Sequence, residues 1–276
     1  IPETTPTLAK LLKNAGYQTA MVGKWGLGMN GTTGSPLLQG FDYYYGYLDQ
    51  KQAHNYYPTH LWENDQPAPL NNDYFLVHSP IEKGSSQQAF DRFKGADYAP
   101  DRMLGKALHF LDTTTSKKPF FLYYPSPIPH VSLQVPDSLL KLYEGEFDES
   151  AYYGNKGYTA HQTPKAAYAA MITHLDMEVG KIWDAVKERG QEDNTIILFS
   201  SDNGPTFAGG VDAEFFNSSG GLRGLKMDVY EGGIRIPFIA YWKGKIKPGS
   251  VSNLVSGHWD MYNTFAELCG QNQKSP

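Results

Sequence analysis

Five polar residues, scattered along the chain, are of types that together handle an anionic ester: Lys24, His130, Asp202, Asn203 and Lys226. Asp202 and Asn203 stand side by side in Ser200-Ser201-Asp202-Asn203-Gly204-Pro205 and offer hard oxygen ligands to a divalent cation. A divalent cation and one or two lysines suit a sulfate or phosphate ester, because they balance charge on its non-bridging oxygens. His130 is of the type that moves protons near neutral pH. Each residue also has an ordinary alternative. Asp, Asn and Gly are common turn formers. Lys24 reads equally as a solvated lysine at a strand end. His130, close to Pro125, Pro127 and Pro129, reads equally as a structural loop histidine.

The elements that must carry these residues share one grammar. Apolar runs precede Gly23-Lys24, the Pro125–His130 loop and the Ser201-Asp202-Asn203 turn. Short apolar runs bounded by turn residues predict buried strands of a parallel sheet, over residues 17–22, 119–124 and 196–199, with a further strand over 236–242. Ligands bind beyond the carboxyl ends of such strands, so the sheet edge is where the titratable residues would meet. Helical spacing appears at Leu8, Leu11, Leu12 and Ala15 after Thr5-Pro6-Thr7, over Ala99–Asp112, from Thr163-Pro164 to Gly190, and over His258–Leu268. The stripe of the longest helix is Tyr168, Met171, Leu175, Val179, Ile182, Trp183 and Val186. Strands alternating with helices predict an α/β sandwich with a mainly parallel or mixed sheet.

Between the first two strands lies a long excursion, residues 29–95, rich in Gly, Pro, Asn and Tyr, with Asp73–His78 as a short strand candidate. Its aromatic, Asn-rich part from Phe41 to Asn72 is the place to look for substrate selectivity. The run Tyr43-Tyr44-Tyr45 reads as packing rather than a recognition wall. Near the other end, Gly220-Gly221-Leu222-Arg223-Gly224-Leu225-Lys226 leads to Tyr230-Glu231-Gly232-Gly233-Ile234-Arg235. Paired glycines there let backbone and cations approach an anion. Arg223 reads better as an internal salt-bridge partner that shapes the loop than as a substrate contact.

A chain of 276 residues suffices for one large α/β domain or two small ones. A net charge of -5 gives no reason to expect nucleic acid or an anionic membrane as partner. The single cysteine, Cys269, rules out an intrachain disulfide and a Cys-rich zinc site, and reads as a small buried residue at a helix end. No apolar run approaches the ~20 residues that span a bilayer.

Four segments, in this order, resemble the sulfatase family of the alkaline-phosphatase-like superfamily. Thr7 to Gly28 is similar to the family's segment ending G-K-W-H-L-G, and Pro119 to Pro136 to its P-F-F-L-Y…P-H…Q-x-P segment. Asp176 to Pro205 resembles the stretch from a D-x-x-V-G-x-I helix to S-D-N-G-P, and Gly220 to Pro237 resembles G-G-L-R-G-x-K…Y-E-G-G-I-R-x-P. The resemblance implies an alkaline-phosphatase-like sandwich with helices on both faces of the sheet, read as one catalytic-core domain over residues 1–276. It implies calcium at the sheet edge with Asp202 and Asn203 among its ligands. Lys24 and Lys226 would hold the sulfate group, and His130 would lie near the ester oxygen. It also implies an exported location, periplasmic or secreted, and leaves the oligomeric state open.

Two departures stand out. The family's formylglycine nucleophile arises from a C/S-x-P-S/A-R motif, and no such motif occurs in this chain. That motif and the family's paired N-terminal Asp calcium ligands would lie upstream of Ile1. The ends Ile1-Pro2 and Lys274-Ser275-Pro276 do not resemble natural domain edges. The expectation is a fragment of a longer sulfatase, also cut before its C-terminal region and inactive by itself. The second departure is Gly26, where the family has His after Lys-Trp. His54, in Gln52-Ala53-His54-Asn55-Tyr56-Tyr57-Pro58, is either its partial replacement in the pocket or a surface-loop histidine. Competing readings are a phosphate or phosphonate ester hydrolase of the same superfamily, and a non-catalytic binder of sulfated glycans.

Overall fold

In chain order the elements are α1 (Leu8–Asn14), β1 (Gln18–Lys24), β2 (Tyr43–Tyr47), β3 (His60–Glu63), β4 (Gln66–Pro69), α2 (Gln87–Asp91), α3 (Ala99–Thr113), β5 (Phe120–Tyr123), α4 (Asp137–Leu140), α5 (Pro164–Glu188), β6 (Ile197–Ser200), α6 (Glu231–Ile234), β7 (Phe238–Tyr241) and α7 (Asp260–Leu268). They are taken from a computed structural model, which describes residues 1–114 and 118–271. The Lys274-Ser275-Pro276 end lies outside the described residues.

Helix starts follow from local chemistry. The Thr7 hydroxyl accepts the Lys10 N–H at 3.2 Å and caps α1. Prolines sit in the first turns of α3 and α5, where a missing N–H leaves no bond unmade.

The main sheet has the order β4-β3-β2-β1-β5. Its centre is parallel, with β1 between β2 and β5, while β3 and β4 add antiparallel neighbours. Side chains alternate across β1, as the period of two requires. Met21 packs with Ala9 of α1 and with Phe41, Tyr44 and Leu48. Val22 packs with Ala99, Met103 and Ala107 of α3, and Ala20 with Phe110 and Leu111. Helices therefore cover both faces, as the α/β expectation holds, and the sheet is mixed. Tyr44, Tyr45 and Tyr47 are buried in these clusters, so β2 is packing, as its aromatic run suggests.

Several sequence expectations need correction. The strand at 196–199 is β6, and it joins no parallel sheet; it pairs antiparallel with β7 in a separate two-stranded sheet. It is not buried on both faces either, since Leu198 is 37% exposed. An apolar run cannot by itself distinguish a parallel from an antiparallel partner. The second predicted buried strand, β5, is an edge strand whose Tyr123 is 47% exposed. Residues 73–78 form no strand; the excursion instead supplies β2, β3 and β4. Cys269 is half-buried at the end of α7.

Candidate functional site

Lys24 ends β1, half-buried. Gly23 before it has φ +143°, and a Cβ built there would lie 2.2 Å from the Pro125 carbonyl oxygen. The Lys24 N–H donates to that same oxygen at 3.0 Å. Only a glycine lets the two backbones meet this closely, so Lys24 and the loop after β5 leave the sheet together.

That loop, Pro125–His130, is pinned from two sides. The Tyr56 hydroxyl is 2.9 Å from the Pro127 carbonyl and 2.5 Å from that of His130. The Ser126 hydroxyl donates to Glu178 Oε2 on α5 at 2.9 Å. Glu178 is fully buried. His130 Nδ1–H donates to the Val131 carbonyl, which leaves Nε2 as the acceptor of a neutral ring.

His54 closes a short 3-10 turn over Gln52–His54, and its carbonyl accepts from the Ser132 hydroxyl at 2.8 Å. Its ring lies parallel to that of His130, with centroids 5.4 Å apart and 9° between planes. His54 is half-buried beside the His130 ring. At Gly26, φ is +78° and the Gln50 amide lies 2.7 Å from where a Cβ would be, so Gln50 occupies that space.

The turn after β6 carries Asp202 and Asn203, whose side chains meet at 2.6 Å between Asn203 Nδ2 and Asp202 Oδ1. The glycine-rich segment docks on this turn. Gly204 N–H donates to the Gly233 carbonyl and Lys226 N–H to the Pro205 carbonyl, each at 2.9 Å. Among the described residues Arg223 makes no salt bridge, contrary to expectation; it stacks 3.7 Å from the Tyr230 centroid and donates to its hydroxyl at 2.8 Å, because the aromatic ring seven residues on lies closer than any carboxylate.

Electrostatics tie these segments together. Burial and the Lys226 ammonium lower the pKa of Lys24, which Asp202 partly offsets. Burial, then Lys226 and Lys24, hold His130 down at about 4, against the opposing effects of Val131 and Asp202. Burial, then His130 and Lys24, bring His54 to about 4 as well. Lys226 thus acts on Lys24, His54 and His130, and Asp202 on Lys24 and His130, while Asp202 holds the Asn203 amide. Both imidazoles are neutral near pH 7. His130 in this state accepts at Nε2 and must take up a proton before it can give one there.

Asp202 and Asn203 supply hard oxygens of the kind calcium prefers, but only part of a shell of ~6–8. Among the described residues, no group of three or more His, Cys, Asp or Glu is placed to hold a metal. The residues present fit calcium as a partial ligand set.

Three contributors escape the sequence reading. His78 touches His54, Tyr158 places its ring against three histidines, and Glu178 holds the His130 loop. No spacing signal could have found them, because each acts across 24 or more residues. A cavity of about 180 Å³ lined by Asp101, Leu104, His174, Glu178 and Lys181 holds none of the five residues singled out at the start.

Comparison with known proteins adds a family-level match. The family model described as Sulfatase matches residues 1–271. Uncharacterized sulfatase YdeN of Escherichia coli is 31% identical over 275 residues, covering 96% of this chain and 43% of that protein. Arylsulfatase G of Mus musculus is 29% identical over 299 residues, covering 98% of this chain and 50% of that protein. The chain thus spans about half the length of these curated relatives. The crystal structure of Ps i-CgsB in complex with k-i-k-neocarrahexaose superimposes with a TM-score of 0.75 at 26% identity, covering 99% of this chain and 55% of that one. Among the described residues, no helix is long and apolar enough to cross a membrane.

Proposed function

The chain belongs to the sulfatase family, and on that premise we propose that it is the core of an enzyme that hydrolyses a sulfate ester. The single observation behind this proposal is that the end of β1 and the loop after β5 meet through Gly23 and Pro125, so that Lys24 and His130 both feel Lys226 and Asp202. Two ammonium groups beside two neutral imidazoles make a site that wants an anion. Lys24 and Lys226 bind the non-bridging oxygens of the sulfate group and hold it in one orientation. His130 sits at the ester oxygen, where it holds or passes the proton that the leaving alcohol needs. His54 replaces in part the side chain absent at Gly26 and contacts the bound group from the face of His130.

When bound, a calcium ion held in part by Asp202 and Asn203 would add positive charge against the sulfate oxygens. A formylglycine, supplied by a segment N-terminal to Ile1, would provide the oxygen nucleophile, and the 276-residue chain alone would be inactive.

The substrate class we favour is a sulfated glycan. Support comes from the Ps i-CgsB structure, which is in complex with k-i-k-neocarrahexaose. A periplasmic or secreted location belongs to the same proposal. The test is an assay of a polypeptide that contains this chain with its upstream segment, on matched aryl sulfate and aryl phosphate esters. Preferential sulfate release supports the proposal; turnover of the phosphate ester alone would replace it with phosphoester chemistry. Binding of sulfated oligosaccharide without turnover of either ester would identify a non-catalytic relative.

A further inference from the structure

Three histidines and a tyrosine from distant segments meet beside the His130 loop. The Tyr158 N–H donates to His78 Nδ1 at 3.1 Å. The Nε2 of His78 lies 3.2 Å from His54 Nδ1. The Tyr158 ring touches all three imidazoles, with centroids 5.0 Å from His54, 5.1 Å from His78 and 6.0 Å from His130. Tyr158 itself holds φ +66°, a left-handed conformation that a tyrosine rarely adopts and that the surroundings must impose.

The direction of each hydrogen bond follows from the first. A backbone amide can only donate, so His78 Nδ1 is an acceptor and carries no proton. The His78 proton is therefore on Nε2, which makes that atom the donor to His54. His54 Nδ1 is then an acceptor in turn, and a neutral His54 carries its proton on Nε2. Among the described residues, no hydrogen bond occupies His54 Nε2. His130, by contrast, spends its Nδ1 proton on the Val131 carbonyl and keeps a lone pair on Nε2. The two stacked rings thus present opposite characters, a donor on His54 and an acceptor on His130.

We propose that His78 is a positioning residue that, anchored by the Tyr158 amide, fixes His54 in the Nε2–H tautomer and so makes it a neutral hydrogen-bond donor to a bound sulfate group. Sulfate oxygens only accept, so a His54 with its lone pair on Nε2 would face them unfavourably. The substrate part of this proposal rests on the sulfatase reading of the site; the tautomer part does not.

The test separates the two. The purified chain, labelled with ¹⁵N at histidine, is examined by long-range proton–nitrogen correlation at neutral pH, with His54→Gln used to assign the His54 signals. The expected result is an unprotonated Nδ1 and a protonated Nε2 for both His54 and His78. His78→Ala should move His54 toward averaged tautomer shifts. His78→Gln should restore the pattern, because its amide can accept from Tyr158 and donate to His54. A wild-type His54 protonated on Nδ1, or His54 signals unchanged in His78→Ala, would overturn the proposal. Inorganic sulfate is then added to the wild-type chain. Downfield movement of the His54 Nε2–H supports donation to the anion. If the tautomers are as expected but sulfate leaves that proton unmoved, the donor role fails while the assignment of the relay stands.

Discussion

The rings of His54 and His130 lie face to face, 5.4 Å between centroids and 9° from parallel, although 76 residues separate them in sequence. Such stacking would repel if both rings were charged. Burial and the two lysines push both below their ordinary range, to about 4, and keep them neutral.

This arrangement has a consequence for stability. Above the ordinary histidine pKa of 6.5, folded and unfolded chains bind no proton at these rings, and the full contribution is present. As pH falls from about 6.5 toward 4, the unfolded chain takes up protons that the folded one refuses, and stability is lost. His130→Gln removes one of the two groups. The stability advantage of wild type over this variant should therefore shrink on going from pH 7 to pH 4, as measured by urea midpoints. A pH-independent difference would contradict the electrostatic account.

Glu178 works in the opposite sense. Burial raises its pKa to about 7, against the opposing pull of His174 and its bond from Ser126. The folded state holds a proton that the unfolded state releases above about 4.5, so this stability is complete at low pH and lost as pH rises through about 7. Glu178→Gln keeps an acceptor for Ser126 and never ionises. The variant should match wild type near pH 4 and exceed it by about 1–3 kcal/mol at pH 8. Equal differences at both pH values would show that the buried carboxyl is compensated at every pH.

The lysine pair should govern anion affinity. Charge-assisted contacts are worth about 1.5–3 kcal/mol each, so Lys24→Ala or Lys226→Ala should weaken inorganic sulfate binding roughly 10- to 100-fold. Isothermal titration in calcium-containing buffer measures this. An unchanged affinity in either variant would remove that lysine from the site.

Gly23 joins the fold to the site. With a Cβ placed 2.2 Å from the Pro125 oxygen, Gly23→Ala must push β1 from the segment that follows β5. A loss of about 2–4 kcal/mol in unfolding free energy is expected, together with weaker sulfate binding, since Lys24 and His130 flank the displaced contact. A fully stable variant would mean that the strand ends yield without cost.

Much of this was legible in the sequence, because local chemistry sets it. The helices over 8–14, 99–113 and 164–188 follow from apolar spacing with Pro and Thr at their starts. Strand ends at Lys24 and before His130 follow from apolar runs stopped by Gly or Pro. Strand partnership did not follow, because β6 carries the same apolar pattern whether it pairs with a parallel neighbour or with β7. His78 and Tyr158 were illegible for a related reason. Their importance rests on a backbone amide 80 residues from the imidazole it meets, and no local pattern encodes that contact.

The most direct check of the central claim is a titration of the purified chain with inorganic sulfate, following the imidazole nitrogens of His54 and His130 together. One shared binding curve, abolished by the Lys24→Ala, Lys226→Ala double variant, is the predicted result. Sulfate that moves only one of the two rings, or that moves both equally well without the lysines, would contradict a common anion site.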